Sequence, residues 1–79
     1  MPDYGSFVDF IVRRLVNNPD EVKVTSECNS SGATMVTIAA AQDDIGRVIG
    51  KHGATINAIR LLTKAASVKP GEKVDVDLA

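Results

Sequence analysis

Gly46, Gly50 and Gly53 fall inside "DDIGRVIGKHGATINAIR", a stretch that otherwise carries helical spacing. Glycine is worse than alanine in a helix by about 1 kcal/mol, so three glycines so close together force a break. Val48 and Ile49 precede the break, and Ile56 and Ile59 follow it at helical intervals. The chain must put two helices end to end across a turn, Gly50 to Gly53. Without a Cβ at either end of that turn, two backbone segments can come close together.

The segments around this corner read as follows. Tyr4, Phe7, Phe10 or Ile11, and Leu15 recur at helical spacing, with Val8 and Val16 widening the stripe. Ser6 is the expected N-cap, the three aromatic residues are expected to pack in the core, and "NNP" at 17–19 stops the helix. Val22, Val24, Ser26 and Cys28 alternate as a half-buried strand does, "NSSG" is a turn, and "ATMVTIAA" continues as a second strand with Val36, Ile38 and Ala40 on one face. Asp43 or Asp44 caps a short helix to Ile49. The helix after the turn runs from about Ala54 to Ala66, with Ile56, Ile59, Leu62 or Leu61, and Ala66 inward. "KPGEK" turns the chain into a last strand with Val74, Val76 and Leu78 inward. The order is α-β-β-α-α-β, an α+β fold expected to be a single domain over residues 1–79.

Net charge is −1, which in itself disfavours a nucleic-acid partner, but the charge is unevenly spread. Residues 1–44 balance to −4 and residues 72–79 to −2, while residues 45–71 hold Arg47, Lys51, Arg60, Lys64 and Lys69 with no acid. A local block of one sign governs partners more than the total does. Cys28 is the only cysteine, which excludes an internal disulfide or a cysteine zinc cluster; it reads as a strand residue without chemistry. No apolar run is long enough to span a membrane, and the N-terminal residues carry acids rather than the positive start of a signal peptide. A cytoplasmic location without a membrane partner is expected.

A turn of this kind suits an anion. Free N–H groups at the start of the following helix point outward, and the helix dipole favours negative charge there. Lys51 and His52 add donors, so a phosphate is the natural occupant. Gly46 and Gly50, four residues apart, would share a face without side chains and open a floor for flat bases. Ile45, Ile49 and the Val36–Ile38 strand would supply its apolar surface. Arg60, two turns beyond Gly53, pairs with a phosphate or is simply solvated.

In this setting "VIGKHGATI" resembles the GXXG motif of the KH domain, and the element order resembles its type II. "DDIGRVIGKHGATINAIR" and the tail "GEKVDVDL" are similar to the small bacterial RNA-binding proteins that consist of one KH domain. The resemblance covers the whole chain. It implies a three-stranded mixed sheet, the last strand parallel to the middle one, with three helices on one face. It implies single-stranded RNA held without catalysis by Gly50-Lys51-His52-Gly53 and an adjacent apolar groove, with Gly46, Arg47, Ile49 and Arg60 as further site residues. KH loops clamp the backbone of about four nucleotides. The implied role is post-transcriptional regulation or RNA chaperoning, and the implied protein partners are a second copy or a larger KH-containing RNA-binding protein.

Other chemistries fit poorly. A P-loop needs four residues between its glycines and Ser or Thr after the Lys; here three intervene between Gly46 and Gly50, and His52 follows Lys51. His52 is the only histidine and has no base or orienting partner beside it in sequence, so no enzyme, metal or cofactor is expected. An RRM stacks bases on sheet aromatics, and no aromatic follows Phe10. The alternative is a protein-interaction module that keeps the KH shape, since fold alone does not settle function.

Overall fold

The computed structural model describes residues 3–79. Its elements are α1 (Tyr4–Leu15), β1 (Lys23–Cys28), β2 (Thr34–Ala39), α2 (Ile45–Ile49), α3 (Ala54–Val68) and β3 (Val74–Leu78), with single 3₁₀ turns at Pro19–Glu21, Gln42–Asp44 and Lys51–Gly53. β2 is the centre of the sheet. It pairs antiparallel with β1, Val24 opposite Ile38, and parallel with β3, Val36 opposite Val76. This is the element order read from the sequence and the mixed three-stranded sheet that the KH resemblance implies.

The hairpin turn closes as its residues dictate. Asn29 Oδ1 accepts from the amides of Ser31 and Ala33, both at 3.0 Å, and Gly32 takes φ +86°. β2 and β3 present every second residue to the helices. Val36 and Ile38 are fully buried, and Val74 and Val76 nearly so. Against them pack Tyr4, Val8 and Val12 from α1, Val48 from α2, and Ile56 and Ile59 from α3.

Three helical expectations are corrected. The N-cap of α1 is Asp3: its carboxylate accepts from the Ser6 amide at 3.0 Å and from the Ser6 hydroxyl at 2.7 Å. Both bonds favour the charged form, so the Asp3 pKa falls below the ordinary carboxylate value. The inward stripe of α1 is Tyr4, Val8 and Val12, four residues apart, and Phe10 lies on the opposite side of the helix. Phe10 is exposed, with the Arg14 guanidinium 3.7 Å above its ring, and Phe7 and Leu15 are also exposed. Of the three aromatics only Tyr4 joins the core, its hydroxyl donating to Glu72 at 2.8 Å. Burial and this carboxylate both push the Tyr4 pKa up.

On α3 the buried residues are Ile56, Ile59, Thr63 and Ser67, whereas Leu61, Leu62 and Ala66 face solvent. The hydroxyls remain satisfied inside: Thr63 donates to the Ile59 carbonyl and Ser67 to that of Lys64, each at 2.7 Å. Small side chains there let the helix lie close to a narrow sheet of valines.

This division predicts sharply different costs for equal truncations. Ile59→Ala should lose about 2–5 kcal/mol in urea denaturation, as buried isoleucines do. Leu61→Ala, 70% exposed, should stay within about 0.5 kcal/mol of the parent.

Candidate nucleic-acid interface

α2 is too short to persist alone and is held at both ends. At its start stands Asp44, fully buried. Its side chain makes no capping bond to α2, contrary to the expectation that Asp43 or Asp44 caps this helix. It turns instead to the segment after α1. Oδ1 accepts from the Asn17 amide at 3.1 Å, and Oδ2 accepts from the Asn18 amide and side-chain Nδ2, each at 3.0 Å. Burial works to raise the Asp44 pKa, but these donors and the Arg47 charge outweigh it and hold the carboxyl below its ordinary range. Val48, fully buried, anchors the middle of the helix.

At the other end the chain leaves α2 through Gly50, at φ +76° and ψ 171°. A Cβ at this position would lie 2.7 Å from both the backbone nitrogen and the Cβ of Thr55, and closer still to its hydroxyl. Two constraints, the positive φ and the contact with α3, thus require glycine. Gly53 also has φ +76°, and His52 between them has φ 56° and ψ 27°, a left-handed conformation uncommon outside glycine. The Gly50 amide bonds to the Gly46 carbonyl at 2.8 Å and the Gly53 amide to the Gly50 carbonyl at 3.1 Å. Lys51 and His52 open the next turn, where N–H groups have no helical partner. Both are exposed. A right-handed residue followed by a left-handed one is the backbone sequence that forms anion-binding concavities from successive amides.

The expected floor is narrower than its glycines suggest. Gly46 is exposed and a Cβ there would meet nothing within 4 Å. Gly50 lies beyond the end of α2, and its missing side chain makes room for Thr55 rather than for a base. Ile45 and Ile49 are half-buried and offer apolar surface beside Gly46, but Val36 and Ile38 are sealed in the core and offer none.

Arg60 is engaged elsewhere. In β3 the Lys73 carbonyl and the Ala79 amide bond to β2, so the alternate residue Val76 turns its carbonyl to the free edge. Arg60 Nε donates to that carbonyl at 2.9 Å, and its terminal nitrogens reach Asn57 Oδ1 at 3.2 Å and Asp77 Oδ1 at 3.5 Å. One turn on, Lys64 Nζ lies 3.9 Å from Asp75 Oδ1. The basic block of residues 45–71 is therefore partly neutralised by acids of β3, a pairing between segments that sequence proximity does not show. Lys51 makes no ion pair among the described residues, and Arg47, also exposed, exerts only its pull on Asp44. Uncompensated positive charge gathers at the turn. Gly46, Arg47, Ile49 and Gly50 to Gly53 thus cluster at one corner, with Arg60 two turns away on the β3 edge. Among the described residues no group of His, Cys, Asp and Glu could hold a metal ion. None of their helices is long and apolar enough to cross a membrane.

The two loop glycines and Gly46 should respond oppositely to alanine. Gly46→Ala should raise stability by about 0.5–1 kcal/mol, the helix-propensity difference. Gly50→Ala should lower it by more than about 1–3 kcal/mol, the cost of holding a non-glycine residue in a backbone region essentially reserved for glycine, because Thr55 must also move. Paired thermal melts check both.

With this geometry in place, comparison with known proteins is direct. The model of the family described as "KhpA/KhpB, KH domain" matches residues 5–78. A protein of Caldanaerobacter subterraneus subsp. tengcongensis named RNA-binding protein KhpA is 39% identical over 74 residues, 94% of this chain and 97% of that one. Proteins of the same name from Clostridium acetobutylicum and Borreliella burgdorferi are 39% and 32% identical, covering 90% and 99% of this chain and 93% and 98% of theirs. Among solved structures, Era in complex with MgGDPNP and nucleotides 1506–1542 of 16S ribosomal RNA superposes with a TM-score of 0.61 at 16% identity. That match takes in 95% of this chain and 28% of the Era chain, and supports the fold. The chain belongs to the KhpA/KhpB KH-domain family.

Proposed function

We propose that this KH-family chain binds single-stranded RNA without catalysis, holding one phosphate at the Gly50–Gly53 turn. The observation that carries this reading is the turn itself: positive-φ glycines at both ends, an exposed left-handed His52 between them, and exposed Arg47 and Lys51 without an ion pair. The relatives' name, RNA-binding protein KhpA, agrees with it. Arg47 and Lys51 neutralise the strand, Ile49 and Ile45 face a base, and Gly46 leaves room for it. Arg60 contributes through the donors that its β3 contacts leave unused. A cytoplasmic RNA chaperone or post-transcriptional regulator is the role such a small, weakly selective binder suits.

A second reading runs alongside. Leu61, Leu62 and Val68 of α3 and Phe7 and Phe10 of α1 are exposed apolar side chains. They favour pairing with a second copy or with a larger KH-containing RNA-binding protein, and sedimentation of the purified chain with and without RNA measures it.

The binding test is titration of a labelled short single-stranded RNA at two salt concentrations. Two phosphate contacts give a slope of log K against log salt near −1.4, at about −0.7 each. A slope steeper than about −4 means that a wider surface carries the RNA. The double variant Lys51→Asp with His52→Asp should stay folded, since both side chains are in solvent, and lose nearly all binding. Unchanged affinity in that folded variant overturns the clamp.

Gly46→Val tests the floor. Open space surrounds this position, so the variant should fold with a melting temperature close to the parent's. Valine would nevertheless stand where the base is placed, and RNA binding should fall at least tenfold. A folded Gly46→Val protein of parental affinity puts the bases elsewhere.

A further inference from the structure

Asp44 is the only buried charged residue among the described residues, and the clamp chemistry makes no use of it. An aspartate just before a helix ordinarily caps it by accepting one of its first amides. Here the side chain makes no such bond. Both oxygens are given to Asn17 and Asn18, 27 and 26 residues earlier in the chain, through three hydrogen bonds of 3.0–3.1 Å. Those asparagines form the turn that ends α1. The carboxylate is therefore a tie between the end of α1 and the start of α2, and the residue after it, Ile45, begins the helix that carries Gly46, Arg47 and Ile49 and delivers Gly50. A helix of five residues has no rigidity of its own. Its direction is set by Val48 in the core, by Thr55 against Gly50, and by this tie.

We propose that Asp44 is a positioning residue for the RNA clamp: bonded to Asn17 and Asn18, it fixes α2, and with it Arg47 and the turn from Gly50 to Gly53, in the orientation that receives the strand. The proposal rests on the RNA-binding reading above. Fixing the donors in advance spares the bound complex the entropy of ordering them. Coupling of this kind is reciprocal, so RNA at the turn should in return tighten the bonds that Asn17 and Asn18 make.

The test uses the whole chain, as parent, as Asp44→Asn and as Asn18→Ala. Affinity for a labelled short single-stranded RNA is measured at a temperature at which circular dichroism finds each protein fully folded. Asp44→Asn keeps the size but sets an amide group against donors, and should weaken binding roughly 3- to 30-fold, the range for residues that modulate a coupled site. Asn18→Ala, which removes one donor, should weaken it less. In the parent, RNA should slow hydrogen exchange at the Asn17 and Asn18 amides. A merely structural Asp44 predicts otherwise: a lower melting temperature, but parental affinity in the folded variant and no change in exchange at Asn17 and Asn18. That result overturns the proposal. If Asp44→Asn does not fold, Asn18→Ala and the parent's exchange decide in the same way. A parent that binds no RNA overturns the clamp itself, and the positioning role with it, and is recognised from the parent titration before any variant is compared.

Discussion

A buried carboxylate with three donors holds the least self-sufficient element of this protein in place. α2 has five residues and cannot persist on local hydrogen bonds, yet Gly46, Arg47, Ile49 and the turn that follows hang on it. Asp44 anchors its start to the end of α1, Val48 plugs its middle into the core, and Gly50 seats its end on Thr55. Each contact is made to a different part of the fold. The corner is thereby a product of tertiary structure, and the sheet, the first helix and the third helix all bear on where Lys51 and His52 stand.

The same economy governs charge. β3 turns Val74 and Val76 to the core and Asp75 and Asp77 outward. α3 runs along it and answers with Arg60 and Lys64. Exposed pairs of this kind contribute little stability; their effect here is on the distribution of potential. They cover the free edge of β3, where an unpaired carbonyl would otherwise invite a foreign strand. They also leave Arg47 and Lys51, at the Gly50–Gly53 corner, outside any ion pair among the described residues. A chain of net charge −1 can in this way present a local anion site.

The order of elements, the hairpin, the inward residues of β2 and β3 and the broken helix were all legible in the sequence, because each rests on a local period or on glycine and proline. What escaped has a common cause. Phe7, Phe10, Leu61 and Leu62 look like core residues by hydrophobicity, but the sheet is three strands wide and is filled by valines, and the helices approach it through Val8, Val12, Thr63 and Ser67 instead. Hydrophobicity ranks residues without knowing how much room a core has. Asp44 beside a helix start reads as a cap; that it bonds a turn 26 residues away is a long-range fact with no local trace. The pairing of Arg60 with β3 is hidden in the same way, since Asp77 lies 17 residues further on.

The three glycines that first marked the corner turn out to have separate reasons. Gly50 is required by its contact with Thr55 and by its backbone angle, and Gly53 by its angle alone, with Asn57 Nδ2 3.7 Å from where a Cβ would stand. Gly46 has neither constraint: its neighbourhood is open, and in an ordinary helix alanine would serve better. A residue that costs helix stability and gains nothing in packing is explained if the space above it is used. Gly50 and Gly53 therefore belong to the construction of the turn, and would be needed in this geometry whether or not anything bound. Gly46 alone speaks for a ligand that lies flat against α2, and so gives the proposed base floor a support that is independent of the phosphate clamp.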